Sequence, residues 1–208
     1  MSVSYNDSVL QLFAFLSAVC SILPYILYFR DIFRKKTKPE RASWLIWSVL
    51  GSIAFFSQLA KGATYSLWMP GLGTIGVMTT FFLALRYGTG GVQKRDVVAL
   101  TIAALGLLVW YFTKEAALAL FIVIGIDAVG SYLTTIKGYE DPESETLTSW
   151  IIFSFSGLFS ALSVGSFNLI LLSYPLYISF ANAAIVTAIV LGKRRKKINV
   201  SNISRLTL

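Results

Sequence analysis

Among ten acidic residues in a chain of 208, Asp127 alone lies well inside an apolar stretch. Ser131 and Thr134 follow it at i+4 and i+7, so a helix places the three on one face. If that stretch spans a bilayer, Asp127 sits roughly 12 Å from the polar end of its helix, near the middle of a core about 30 Å thick. Inserting a charged Asp there costs about 2.5–3.5 kcal/mol, so such residues face the protein interior. Two kinds of chemistry are open to it: proton or cation binding on a transport path, or a neutral, hydrogen-bonded tie between helices. Asn182 lies at similar depth in the last apolar stretch. Its amide can donate to and accept from a polar solute, or bridge two helices for about 0.6 kcal/mol.

Trp44, Trp47 and Trp150 open two apolar stretches. That position fits an interfacial aromatic belt, and equally a stacking surface for the apolar face of a solute. Ser48, Gly51, Ser154 and Gly157 lie one and two turns further on, where small residues serve close helix packing or a pore lining. Pro24 removes a backbone hydrogen bond within the first stretch and is expected to kink it, as a hinge or as a packing shape.

Other chemistry is excluded or disfavoured. Without histidine there is no His catalysis or His ligation of metal, and Cys20 is the only cysteine, so no disulfide framework or metal-type cysteine spacing exists. One buried acid without a second carboxylate or a nucleophile–base pair does not make an enzyme site. Gly71, Gly73 and Gly76 match the dinucleotide glycine pattern but open an apolar helix with no preceding strand. A retinal-type photoreceptor would need a lysine in the last stretch, which has none before Lys193. Asn6-Asp7-Ser8 is a glycosylation acceptor sequence, relevant only in a eukaryotic secretory pathway. The first stretch has no preceding Lys or Arg, which disfavours a cleaved signal. No cofactor is expected.

The elements that must position these residues are membrane helices. Hydrophobic residues make up 56% of the chain and charged residues 13%, against roughly 25% charged in soluble domains. Apolar stretches run over 9–29, 43–60, 69–87, 97–112, 116–136, 149–166 and 169–192, which predicts an all-α polytopic protein of seven spans in a single membrane domain. With the N-terminus outside, only Lys61 and Lys114 of the eighteen Lys and Arg fall outside, and the rest fall in cytoplasmic segments or the basic 193–208 tail. The net charge of +8 is thus a topology signal rather than a nucleic-acid footprint. The tail is also a candidate contact for anionic lipid, and the acidic run Glu140–Glu145 is a candidate partner for the basic 30–41 loop.

The chain repeats itself. Ser43, Trp44, Ile46, Ser48, Gly51 and Ser57 return at one fixed spacing as Ser149, Trp150, Ile152, Ser154, Gly157 and Ser163. Upstream, Arg34 precedes Pro39-Glu40 as Lys137 precedes Pro142-Glu143. The pattern predicts two parallel three-helix repeats, 9–87 and 116–192, joined by one inversion helix at 97–112. In transporters built from such repeats the solute site lies at the repeat interface near the midplane.

The three-one-three arrangement, the proline late in helix 1 and the Ser-Trp start of helix 2 resemble the SWEET and PQ-loop superfamily of membrane transporters, over roughly residues 9–192. Pro24-Tyr25 stands where that group carries Pro-Gln, and Asp127 stands at the matching place in the second repeat. Asn182, after Pro175, resembles the substrate-facing asparagine of SWEET transporters, and its helix-3 counterpart falls at Gly76 or Val77. The resemblance implies alternating access, with Pro24 shaping the gate.

These readings combine into an expected small-solute transporter. Asp127, Asn182, Ser131, Trp44 and Trp150 would contact a neutral or cationic solute, a sugar among the options. The competing expectation is a receptor or assembly protein of the same fold that moves nothing. Solute identity, coupling ion and oligomeric state, homo-oligomers included, stay open.

Overall fold

The computed structural model describes residues 7–60, 68–112, 116–165, 167 and 169–206. Asn6, Lys61 and Lys114 lie outside them. Seven α-helices follow in order: α1 (Asp7–Phe33), α2 (Arg41–Ala60), α3 (Trp68–Tyr87), α4 (Lys94–Phe112), α5 (Ala116–Glu140), α6 (Leu147–Ser163) and α7 (Leu169–Leu206). A 3-10 turn, Pro142–Ser144, joins α5 to α6. The described residues contain no sheet, only an isolated bridge between Glu40 and Thr89.

Helices form where the sequence is continuously apolar, because a backbone in hydrocarbon must satisfy its own hydrogen bonds. Their ends are set by local chemistry. α1 continues to Phe33 and closes on Lys35, whose φ is 58°. Lys36 N donates to Asp31 O at 2.9 Å and Lys35 N to Ile32 O at 2.9 Å, the paired bonds of a Schellman cap, here without its usual glycine.

Among the described residues, three helical segments are long and apolar enough to cross a membrane: Asp7–Phe33, Phe121–Glu140 and Leu172–Ile198. Leu147–Ser163 is apolar but shorter, with 17 residues. The exterior fits that solvent. Phe15, Ile26, Ile75, Phe82, Leu105 and Phe180 are exposed, whereas Ser43, Thr80, Thr134 and Ser149 are fully buried. This reverses the usual soluble partition of large apolar and small polar side chains.

The helices do not pack in chain order. α1 packs against α6 and α3, α3 against α2, α2 against α5, α5 against α7, and α7 against α6, so the succession of six returns to its start. α4 stands beside α5 and α2. The main aromatic and aliphatic core, Tyr28, Ile32, Trp44, Trp150, Ile185 and Ile189, draws on α1, α2, α6 and α7. α6 and α7 come together at Gly157, where a Cβ would meet Ser179 N at 2.5 Å and Pro175 O at 2.7 Å. On the other side of the bundle, Thr74 Oγ1 of α3 donates to Gly51 O of α2 at 3.0 Å. The repeated glycines therefore both serve close helix packing.

The basic tail is not a separate segment. α7 runs on to Leu206, and three of its basic residues dock on the end of α5 and the α5–α6 connection. Lys193 lies 3.7 Å from Glu143, Lys196 lies 3.0 Å from Asp141, and the Arg195 guanidinium covers the Tyr139 ring at 4.4 Å. Two of the four acids in the run, Asp141 and Glu143, thus pair with α7, while Glu140 pairs with Arg95 and Glu145 with Lys137. The 30–41 loop meets this run through its backbone, as in the bond from Lys38 N to Ser144 O at 2.9 Å.

Candidate functional site

Asp127 sits on the face of α5 that α7 covers, and both Asp127 and Ser131 are buried. The Tyr177 hydroxyl of α7 donates to Asp127 Oδ2 at 2.6 Å, and Ser131 Oγ donates to the same oxygen at 3.3 Å. Ser131 Oγ and the Tyr177 hydroxyl are themselves 3.3 Å apart. Two hydroxyls thus replace the water that a carboxylate would lose on leaving solvent. Thr134, the next residue along the same stripe, donates to Ser43 Oγ of α2 at 2.9 Å. The stripe read from sequence therefore faces inward, with its upper part on α7 and its lower part on α2. Chemically, the cluster can hold a proton or a small cation on Oδ2, with rotatable hydroxyls that reorient as the charge changes.

Trp44 and Trp150 are buried, not set at a surface belt, and their rings meet each other with centroids 6.2 Å apart. Tyr28 packs on both, at 5.3 Å and 5.9 Å, and Tyr25 lies 6.4 Å from Trp44. Aromatic pairs at such spacings are worth about 0.5–1.5 kcal/mol beyond their buried area. The Tyr25 ring fills the helix-3 position that would correspond to Asn182, since a Cβ on Gly76 would fall 2.7 Å from it. Pro24 is buried within an unbroken α1, and its carbonyl accepts a bond from Ser149 Oγ of α6 at 3.0 Å. In the other half, Ser43 Oγ of α2 donates to Gly130 O of α5 at 2.7 Å.

One end of the bundle is closed by a buried ion pair. Lys137 Nζ meets Glu145 Oε1, and also donates to Lys38 O and to Ser144 O, the latter at 3.3 Å. Glu145 Oε2 accepts from the Tyr28 hydroxyl at 3.0 Å and from Trp150 Nε1 at 2.8 Å. The pair therefore ties α1, α5, α6 and the α1–α2 loop together with its charges well provided for, which is the condition under which a buried pair is tolerated.

The structure thus brings Asp127 together with Ser131, and Trp44 with Trp150. Asn182 joins neither group: its Nδ2 donates to Ile178 O, one turn back in its own helix, at 2.7 Å. The sequence does not single out Tyr177 or Tyr28, and it offers Glu145 only as part of the acidic run. The available signals were two tyrosines flanking Pro175 and two more just after Pro24, polar tips at helical spacing inside apolar stretches.

Fold and site define a helical protein with membrane-spanning segments that keeps a carboxylate–hydroxyl cluster in its interior. Comparison with protein-family models, curated proteins and solved structures finds no match.

Proposed function

We propose that this chain is a small-solute transporter working by alternating access, a divergent protein of the SWEET and PQ-loop type. It has seven spans, an outside N-terminus and a cytoplasmic C-terminus. The observation that carries the reading is the Asp127–Ser131–Tyr177 cluster, an ionisable group kept inside a segment apolar enough to cross the membrane. A two-repeat architecture is supported by how the helices adjoin. Exchanging α1 with α5, α2 with α6 and α3 with α7 turns the observed set of neighbours among these six into itself. The same exchange relates the bond from Ser43 to α5 to the bond from Ser149 to α1, and it brings Trp44 against Trp150. Contacts between the halves of this kind are what two rocking units would use.

The solute is neutral or cationic, because Asp127 is surrounded by hydroxyl and aromatic groups rather than Lys or Arg. Arg194 and Lys197 stay exposed on the α7 extension, where anionic headgroups would meet them. A second reading, a receptor or assembly protein of the same fold, draws on Asn182, whose amide is committed to its own helix.

Proteoliposome uptake of glucose, a neutral amino acid and a small amine, with and without a proton gradient, separates these readings. The wild type is expected to accumulate at least one of them, and to do so faster under an inward gradient. Asp127→Asn keeps the size and an acceptor for Tyr177, so it is expected to fold while losing the gradient dependence. Absence of uptake across the panel favours the receptor reading. Unchanged gradient dependence in the variant removes Asp127 from the coupling role.

A further inference from the structure

Glu40 and Asp96 are carboxylates remote from the Asp127 cluster in sequence, and they are 3% and 1% exposed. Glu40 precedes α2 and caps it: Oε2 accepts from Ser43 N at 2.6 Å and, sharing the one hydroxyl proton with Gly130 O, from Ser43 Oγ at 2.9 Å. Asp96, in the first turn of α4, accepts from Gly91 N at 2.6 Å and Gln93 N at 3.0 Å, both at Oδ2. Each acid therefore spends one oxygen on two local donors. The other oxygen of Glu40, Oε1, is buried and has no hydrogen-bond partner among the described residues. It lies against Gly90, whose φ of 72° suits glycine. A Cβ on Gly90 would meet Glu40 Oε1 at 2.0 Å and Asp96 Oδ2 at 3.4 Å, so both carboxylates border the same small space. Backbone bonds hold Glu40 there: Thr89 N donates to Pro39 O and Arg41 N to Thr89 O, each at 2.9 Å.

A buried carboxylate oxygen without a donor is costly when charged. Two carboxylates in one low-dielectric space cannot both ionise freely, and one keeps its proton. We propose that Glu40 and Asp96 form a proton-binding site, with the proton carried on Glu40 Oε1 and shared toward Asp96. The oxygen follows from the contacts, since Oε2 is already occupied as an acceptor. Burial lifts Glu40 above the ordinary glutamate value of 4.5 against the opposing Ser43 bonds, and the Asp96 charge adds to the lift.

The charged groups around it are otherwise engaged. Arg41 of α2 donates from Nε to Ala84 O and from its terminal nitrogen to Gly90 O. Arg95 of α4 holds Glu140 of α5 through two 2.9 Å bonds and approaches Asp96 no closer than 3.9 Å. Lys137 of α5 and Tyr28 of α1 are committed to Glu145. None of the ion pairs among the described residues includes Glu40. Losing the proton would set two buried negative charges against each other at the joint between the α1–α2 and α3–α4 loops. The site is therefore a pH-responsive element of that joint, independent of the transport reading.

The sign follows from linkage. The folded chain holds a proton that the unfolded chain releases above 4.5, so this stabilisation is complete at low pH and lost as pH rises through the folded-state value. Thermal unfolding of the full chain in detergent tests it. Relative to Glu40→Gln, which mimics the neutral acid, the wild-type Tm should fall by roughly 3–5 °C per pH unit across the titration. A wild-type-minus-variant difference that is constant with pH overturns the proposal. So does a stabilisation by added potassium or magnesium that Glu40→Gln abolishes, which would make the site a cation site. Should the variant not fold, infrared spectra of wild-type protein with carboxyl-13C glutamate decide. A protonated glutamate carbonyl band that persists above the ordinary glutamate value of 4.5 is expected, and its absence there overturns the proposal.

Discussion

At the scale of the residue, Asp127 is held by hydroxyl donors rather than by an opposite charge. Tyr177 gives the shorter bond, 2.6 Å against 3.3 Å from Ser131. A hydroxyl partner serves the acid both protonated and ionised, because its O–H bond rotates, whereas a lysine would hold it ionised. Tyr177→Phe deletes the better donor and leaves an under-satisfied buried oxygen. The expected destabilisation is about 1–3 kcal/mol, read from detergent or denaturant unfolding. Asp127→Asn in the same background should recover most of that loss, since an amide is less costly to leave partly bonded than a carboxylate. Additive losses in the double variant would show that the two side chains are not coupled.

At the scale of the element, the helices hold together through small residues and aromatic rings. Gly157 lets α7 approach α6 until a Cβ would overlap backbone atoms of Ser179 and Pro175, and backbone cannot rotate out of the way. Gly157→Ala is expected to cost roughly 1–3 kcal/mol by overpacking. Gly73 of α3 has nothing within 4 Å of the same construction. Gly73→Ala should therefore gain about 0.5–1 kcal/mol from helix propensity alone. Parallel unfolding measurements on the two variants check the contrast, and equal effects would mean that the α6–α7 contact is looser than drawn. The length of α7 is also an element-scale result. A basic run beyond a span is ordinarily solvated, but here Asp141 and Glu143 stand where Lys196 and Lys193 reach them.

At the scale of the molecule, the proposed topology places residues 30–42 and the α7 extension in the cytoplasm and the α4–α5 connection outside. Single cysteines at Lys36 and Lys114, in a Cys20→Ser background, should react with an impermeant thiol reagent from opposite sides of the membrane. Reaction from one side only would break the seven-span alternation. The helix succession predicts in addition that Trp44 and Trp150 can be brought together by cross-linking although they lie in different halves of the chain, since their rings are 6.2 Å apart.

The helices themselves were legible in the sequence, because a continuous apolar run needs no partner to declare itself and its limits agree with the observed elements to within a few residues, α7 apart. The inward stripe of Asp127, Ser131 and Thr134 was legible for the same reason: helical periodicity is local. What covers that stripe is not local. Tyr177 lies fifty residues from Asp127 in the chain, and the tyrosines flanking Pro175 mark polar tips in an apolar stretch without showing what they meet. Asn182 shows the converse, a polar residue at the right depth whose amide the tertiary structure turns back onto Ile178. Nothing in the sequence links Glu40 to Asp96, which lie 56 positions apart in the chain. Only the folding of the α3–α4 loop over the start of α2 buries both in one space, because burial and charge–charge proximity are properties of the packed chain and not of its order.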